Sequence, residues 1–95
     1  MTNPEPICTW GVVICVATNG HVWVAKSATM DEHFVHLQTA RVIRRWGTTQ
    51  GLNQLVGGPT TETQLDAIAP IVSVAQIALI MMIPCTESGW EQDLV

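Results

Sequence analysis

The sequence predicts a mainly β (α+β) fold, a small antiparallel sheet or barrel-like domain with one short helix that is homo-oligomeric, and three observations predict it. The run Val12-Val13-Ile14-Cys15-Val16 is short, apolar and mostly β-branched, the signature of a strand buried on both faces. Asn19-Gly20 stands between two β-rich runs, where an Asn-Gly pair marks a hairpin because a type I′ turn needs positive φ at both central residues. Finally, 47% of the 95 residues are hydrophobic and only 13% are charged, against a usual charged share of about a quarter. A chain of this length forms one domain. It holds more apolar surface than one small core hides, and burial against further copies accounts for the excess.

Taken in order, residues 1–6 carry two prolines and no apolar anchor, and read as an extended arm ahead of a β-rich domain over 7–90. A first strand covers Ile7 to Ala17, Thr18-Asn19-Gly20-His21 forms the turn, and a return strand runs from His21 to Lys26. Alternation puts Val22 and Val24 on one face of that strand and His21, Trp23 and Ala25 on the other. Ser27 to Glu32 is polar and reads as a loop. His33 to Leu37 forms a third strand, with Phe34 and His36 on one face and Val35 and Leu37 on the other; a fourth covers Ala40 to Trp46.

A helix of two or three turns follows: Thr48-Thr49 offers a capping hydroxyl, Leu52 and Leu55 are three apart, and Gly57-Gly58-Pro59 ends it. Residues 67–86 contain no charged side chain. Nearly every position from Val74 to Ile83 is apolar, so over residues 72–80 periodicity leaves strand and helix open. Residues 91–95 form an acidic tail.

The uncharged stretch has the length of a bilayer span, but Pro70 and Pro84 interrupt it and its flanks, Asp66 and Glu87, are acidic rather than basic. No membrane partner is expected. The N-terminus shows no basic residue ahead of its first apolar run, so no signal peptide is expected either. Cys8, Cys15 and Cys85 lack the Cys-x-x-Cys spacing of a zinc site and are expected to be buried thiols, with no metal.

Ala40-Arg41-x-Ile43-x-x-Trp46, Gly51-Leu52-x-Gln54-Leu55-x-x-Gly58 and Ile83-Pro84-Cys85-Thr86 with a late Trp90 resemble a family of small phage and prophage proteins of unknown function. The resemblance covers roughly residues 11–90. It implies a viral origin, an opening hairpin, a helix at the Leu-x-Gln-Leu motif and a strand ending at Ile-Pro-Cys-Thr, which tilts residues 74–83 toward strand. It implies no activity. The chain departs from the family pattern at Val42-Ile43-Arg44-Arg45, so a role for Arg44 or Arg45 is not part of the resemblance.

Arg41, Arg44 and Arg45 lie beside Trp46. A guanidinium next to an indole suits phosphate binding and base stacking, and makes Arg41, Arg44 and Trp46 the candidate site for an anion or small nucleotide. The competing reading pairs the arginines with carboxylates of the same or a neighbouring chain. Nucleic acid is an unlikely partner, because a net charge of −4 opposes attraction to a polyanion. His21, His33 and His36 are framed by no nucleophile motif, phosphate loop or metal signature, so no catalytic residue and no cofactor are expected.

Ile77, Leu79, Ile80, Met82 and Trp90 are the candidate oligomer interface, since tryptophan anchors interfaces and the others lie in the uncharged stretch. Together these features point to a non-enzymatic phage structural protein, a virion component, decoration or assembly protein. It would act through self-association and docking on other virion proteins, in the virion or the host cytoplasm. The alternative is a phage anti-defence protein that sequesters a nucleotide signal in an intersubunit pocket.

Overall fold

A computed structural model describes residues 8–95; the arm at 1–6 lies outside them. Seven strands form one antiparallel sheet that does not close: β1 (Cys8–Trp10), β2 (Val13–Ala17), β3 (Val22–Met30), β4 (Phe34–Arg45), β5 (Gln64–Leu65), β6 (Ala69–Ala75) and β7 (Leu79–Pro84). The spatial order is β5-β4-β3-β2-β7, with β1 beside β2 along β3 and β6 beside β5 along β4. Two 3-10 turns, Leu52–Gly57 and Gln76–Ala78, and one α-helical turn, α1 (Glu87–Trp90), complete the elements among the described residues.

The hairpin between β2 and β3 is present, but its turn differs from the expected I′ form. Only Gly20 has positive φ, at 89°. The Gly20 N–H donates to the Ala17 carbonyl and the Ala17 N–H to the His21 carbonyl, each at 3.0 Å, so the loop has three residues and Gly20 takes the left-handed position of a bulge. Asn19 contributes differently, accepting the His21 N–H on its side-chain oxygen at 3.0 Å.

Strand boundaries shift for a single physical reason: the sheet bends sharply. β3 continues through Ser27–Met30, where a loop was expected, and the two expected strands at 33–37 and 40–46 are one twelve-residue strand, β4. At the bend, Lys26 and Thr39 drop out of the β3–β4 ladder, Thr39 has φ 52°, and the first strand breaks between Trp10 and Val13. A β-branched residue in the left-handed region is strained. On its other side Thr39 stands opposite Pro70, which has no N–H to give, so β4 loses pairing to both neighbours at one place.

How strong the bend is follows from the second 3-10 turn. Its Ala78 carbonyl accepts the Thr18 N–H at 2.7 Å, and its Gln76 N–H donates to the His33 carbonyl at 2.8 Å. Thr18 and His33 flank opposite ends of β3, which straight would span about 30 Å. Three residues reach only about 10 Å. The sheet therefore folds back on itself until both of its turns meet one short link.

The fold-back gives β2 two buried faces, as the Val12–Val16 run predicts. Inside the bend, Val13, Cys15, Ala17, Ala25, Ala28, Val35, Leu37, Ala40 and Val74 pack together, with Trp10 and Trp23 against them. On the reverse face Val12, Ile14, Val22, Val24 and Ile43 meet Leu55, Trp90 and Leu94. The alternations expected for Val22/Val24 against Trp23/Ala25, and for Val35/Leu37 against Phe34/His36, both hold. Burial pushes the thiols of Cys15 and Cys85 up to about 11.

The segment after β4 forms a 3-10 rather than an α-helix. No threonine caps it; Gly51 precedes it and makes no side-chain cap. Gln54 instead folds its carbonyl oxygen back onto the N–H groups of Thr49 and Gln50, at 3.0 and 2.9 Å. The acidic tail also departs from expectation, because Leu94 is 2% exposed and belongs to the reverse-face core.

Candidate functional site

The arginines expected to bind an anion are already engaged. Arg41 donates through Nε to the Asp66 carbonyl at 2.6 Å and through Nη1 to the Asp93 carbonyl at 3.1 Å. Arg44 forks onto the Asp66 carboxylate, Nε to Oδ1 at 2.7 Å and Nη2 to Oδ2 at 3.2 Å. These bonds lower the Asp66 carboxyl pKa and raise that of Arg44. The structure thus brings Arg41 and Arg44 together on one residue, Arg41 on the Asp66 carbonyl and Arg44 on its carboxylate, and ties the β4 edge to β5 and to the C-terminal segment. An anionic ligand there would have to displace Asp66. Trp46 stands at the end of β4, 41% exposed.

The candidate interface divides. Trp90 is fully buried within its own chain, and its indole N–H donates to the Leu55 carbonyl at 2.9 Å. This corrects its assignment as an intersubunit anchor: α1 turns the ring inward to cover the reverse face of β2 and leaves none of it exposed. Leu79 and Met82 pack partly against the inner core. Ile77 and Ile80 are open, 95% and 58% exposed, and Met81, which sequence reasoning did not single out, joins them at 47%. Within the chain the region forms two edge strands, β6 and β7, joined by the Gln76–Ala78 turn.

β7 pairs with β2 alone among the described residues, and Ile80 sits at the bulge where the β2–β7 register slips between Val16 and Ala17. The outer edge of β7 consequently presents unpaired backbone groups, flanked by three large aliphatic or thioether side chains and by no charge. Lysines, the usual guard of such edges, are absent from residues 67–86.

A concave feature lies elsewhere, on the outer side of the bend. A cleft of about 620 Å³ runs between Lys26, Ser27, Gln38 and Thr39 of the sheet and Glu87 and Glu91 of the C-terminal segment. No sequence signal marked it, because it forms where the bend in β3 and β4 meets the packing of α1.

No helix among the described residues is long and apolar enough to cross a membrane. Comparison with known proteins finds no match among curated proteins or solved structures. A family model does match: residues 10–92, the whole sheet from the end of β1 onward together with α1, fit a domain of unknown function, DUF6948, and the chain belongs to that family.

Proposed function

We propose that this protein is an assembly protein that acts by self-association through the outer edge of β7. The observation that carries this reading is the exposure of Ile77, Ile80 and Met81 beside an unpaired strand edge, in a segment without charge. Strand addition supplies main-chain hydrogen bonds, and the aliphatic side chains supply the burial that makes association favourable. An edge added to its own copy is antiparallel and self-complementary, so a two-fold pair is the simplest product. The likeness of the Ala-Arg-x-Ile-x-x-Trp and Ile-Pro-Cys-Thr motifs to phage and prophage proteins supports a place in virion structure or assembly, with other virion proteins as further docking partners.

Sedimentation velocity on the wild type and on Ile80→Asp and Ile77→Asp variants tests the first part. The wild type is expected to sediment as a closed oligomer and both variants as folded monomers. A monomeric wild type at tens of micromolar removes the reading. Mass spectrometry of purified particles tests the second part, and absence of the chain from them removes the virion role while leaving self-association intact.

A further inference from the structure

Away from the β7 edge, the outer face of β4 and β6 carries a connected line of three polar side chains. Asp31, in the turn between β3 and β4, accepts the N–H groups of His33 and Phe34 on Oδ1 at 2.9 and 2.8 Å. Its Oδ2 lies 2.8 Å from Nε2 of His36, and Nδ1 of His36 lies 2.8 Å from Oγ of Ser73. The Gln76 side chain donates to the Asp31 carbonyl and fixes the same turn. His36 faces Ser73 directly across the β4–β6 ladder.

Roles follow from the protonation states. The hydrogen bond from His36, with the two backbone N–H groups, holds the Asp31 carboxyl down at about 2. At neutral pH Asp31 is therefore an acceptor only, so Nε2 of a neutral His36 carries the proton. Nδ1 is left with its lone pair, and the Ser73 hydroxyl donates to it. This is a hydroxyl hydrogen-bonded to a base that a carboxylate orients.

We propose that Ser73 is a nucleophile activated by His36, with Asp31 as the positioning residue, and that this face transfers acyl groups from small neutral apolar esters to water. The substrate class follows from the neighbours. Phe34, 44% exposed, has its ring centroid 6.1 Å from that of His36, and Ile71, 65% exposed, lies two residues from Ser73 on the same side of β6. β6 contributes no charge.

The backbone supplies a donor as well. The Gln76 N–H to His33 carbonyl bond sets the alternation of the β4–β6 ladder, turning the N–H groups of Val72 and Val74 toward β4 and that of Ser73 toward the open edge. There no strand among the described residues takes it, and it is placed to donate to the oxyanion of a tetrahedral intermediate. In the first half-reaction Oγ attacks the ester carbonyl carbon, its proton passes to Nδ1, and the carbon–oxygen bond to the alcohol breaks as the alkoxide takes that proton. In the second, water gives its proton to Nδ1 and attacks the acyl-serine, and Oγ leaves with the proton as the carboxylic acid departs.

The test is acylation of the intact full-length chain by p-nitrophenyl butyrate, followed by mass spectrometry and peptide mapping, on the wild type and on Ser73→Ala, His36→Gln and Asp31→Asn. The butyryl group is expected on Ser73, absent from Ser73→Ala, and formed roughly 100-fold more slowly in His36→Gln. In Asp31→Asn acylation of Ser73 should slow roughly tenfold, because the amide no longer requires Nε2 of His36 to carry the proton, and Asp31→Glu should recover part of the rate. Glu32 and His33 share that turn with Asp31 and are unchanged in every variant, and residues 67–86 add no titratable carboxylate or imidazole. Thermal melts confirm that the variants fold. Labelling that misses Ser73, or proceeds at the wild-type rate in His36→Gln, overturns the proposal. Ile80→Asp should label as the wild type does, which separates this activity from self-association.

Discussion

Trp90→Ala is the sharpest test of how the C-terminal segment is used. Trp90 is fully buried, and a buried tryptophan removes about 150–250 Å² from water. At about 25 cal/mol per Å² that contributes about 4–6 kcal/mol, close to the roughly 3–5 kcal/mol lost when large aromatic residues are truncated to alanine. Its bond to the Leu55 carbonyl adds about 1 kcal/mol. A domain of this size is stable by roughly 5–14 kcal/mol, so the variant loses a third or more of the total. Urea unfolding measures this directly: with a slope of about 1–3 kcal/mol per M, the midpoint should fall by more than 1 M. Trp90→Phe keeps most of the apolar volume, loses the N–H donor, and should cost about 1–2 kcal/mol. If Trp90→Ala unfolds within 1 kcal/mol of the wild type at unchanged slope, α1 does not seal the core. If it instead dissociates an oligomer while its monomer keeps full stability, Trp90 is an intersubunit anchor after all.

Three further outcomes are expected. A Cβ on Gly89 would lie 2.1 Å from the Gly57 carbonyl oxygen, so Gly89→Ala forces the 3-10 turn and α1 apart and should cost about 1–3 kcal/mol in the same urea assay. Asp31 has its pKa lowered from 3.8 to about 2 in the fold; the unfolded chain then binds the proton first. Its contribution is present above about pH 4 and lost as pH falls through about 2, and Asp31→Asn should flatten acid denaturation over that window. Cys15 is raised from 9.0 to about 11, the opposite sense: its contribution holds below pH 9 and is lost as pH rises toward 11, and Cys15→Ala should remove that part of the alkaline slope in thermal melts.

What the residues disclosed in advance tracks how local the determining physics is. The Val12–Val16 run and the alternation at 22–25 and 34–37 were legible because a side chain's face is set by its immediate neighbours. The bend was not. It depends on Lys26 and Thr39 standing opposite each other, on Val12 lying level with them where the first strand breaks, and on Pro70 failing to pair with Thr39, relations that exist only once register is fixed. Trp90 was misread for the same reason: an aromatic residue in an acidic tail looks like an anchor until Leu55, thirty-five residues earlier, is known to lie beneath it. Arg41 and Arg44 are close in sequence, but the residue they share, Asp66, comes from the far side of the 3-10 segment. Likewise His36 and Ser73 carried no shared motif, being neighbours only through the β4–β6 pairing.

The short link at Gln76–Ala78, which ties both turns of the sheet together, also governs the order in which the fold forms. β2, β3 and β4 pair with their neighbours in sequence and assemble locally, but Ile14 finds its other partner only in Ile83. Contacts so distant along the chain slow folding, because the loop between them must close before they stabilise anything. On the ribosome, the hairpins can form early while the reverse face of β2 waits, uncovered and apolar, for β7, Trp90 and Leu94 to emerge. Misassembly then competes with correct docking for the exposed strands during that interval, and the pace of synthesis through residues 60–95 becomes a determinant of yield.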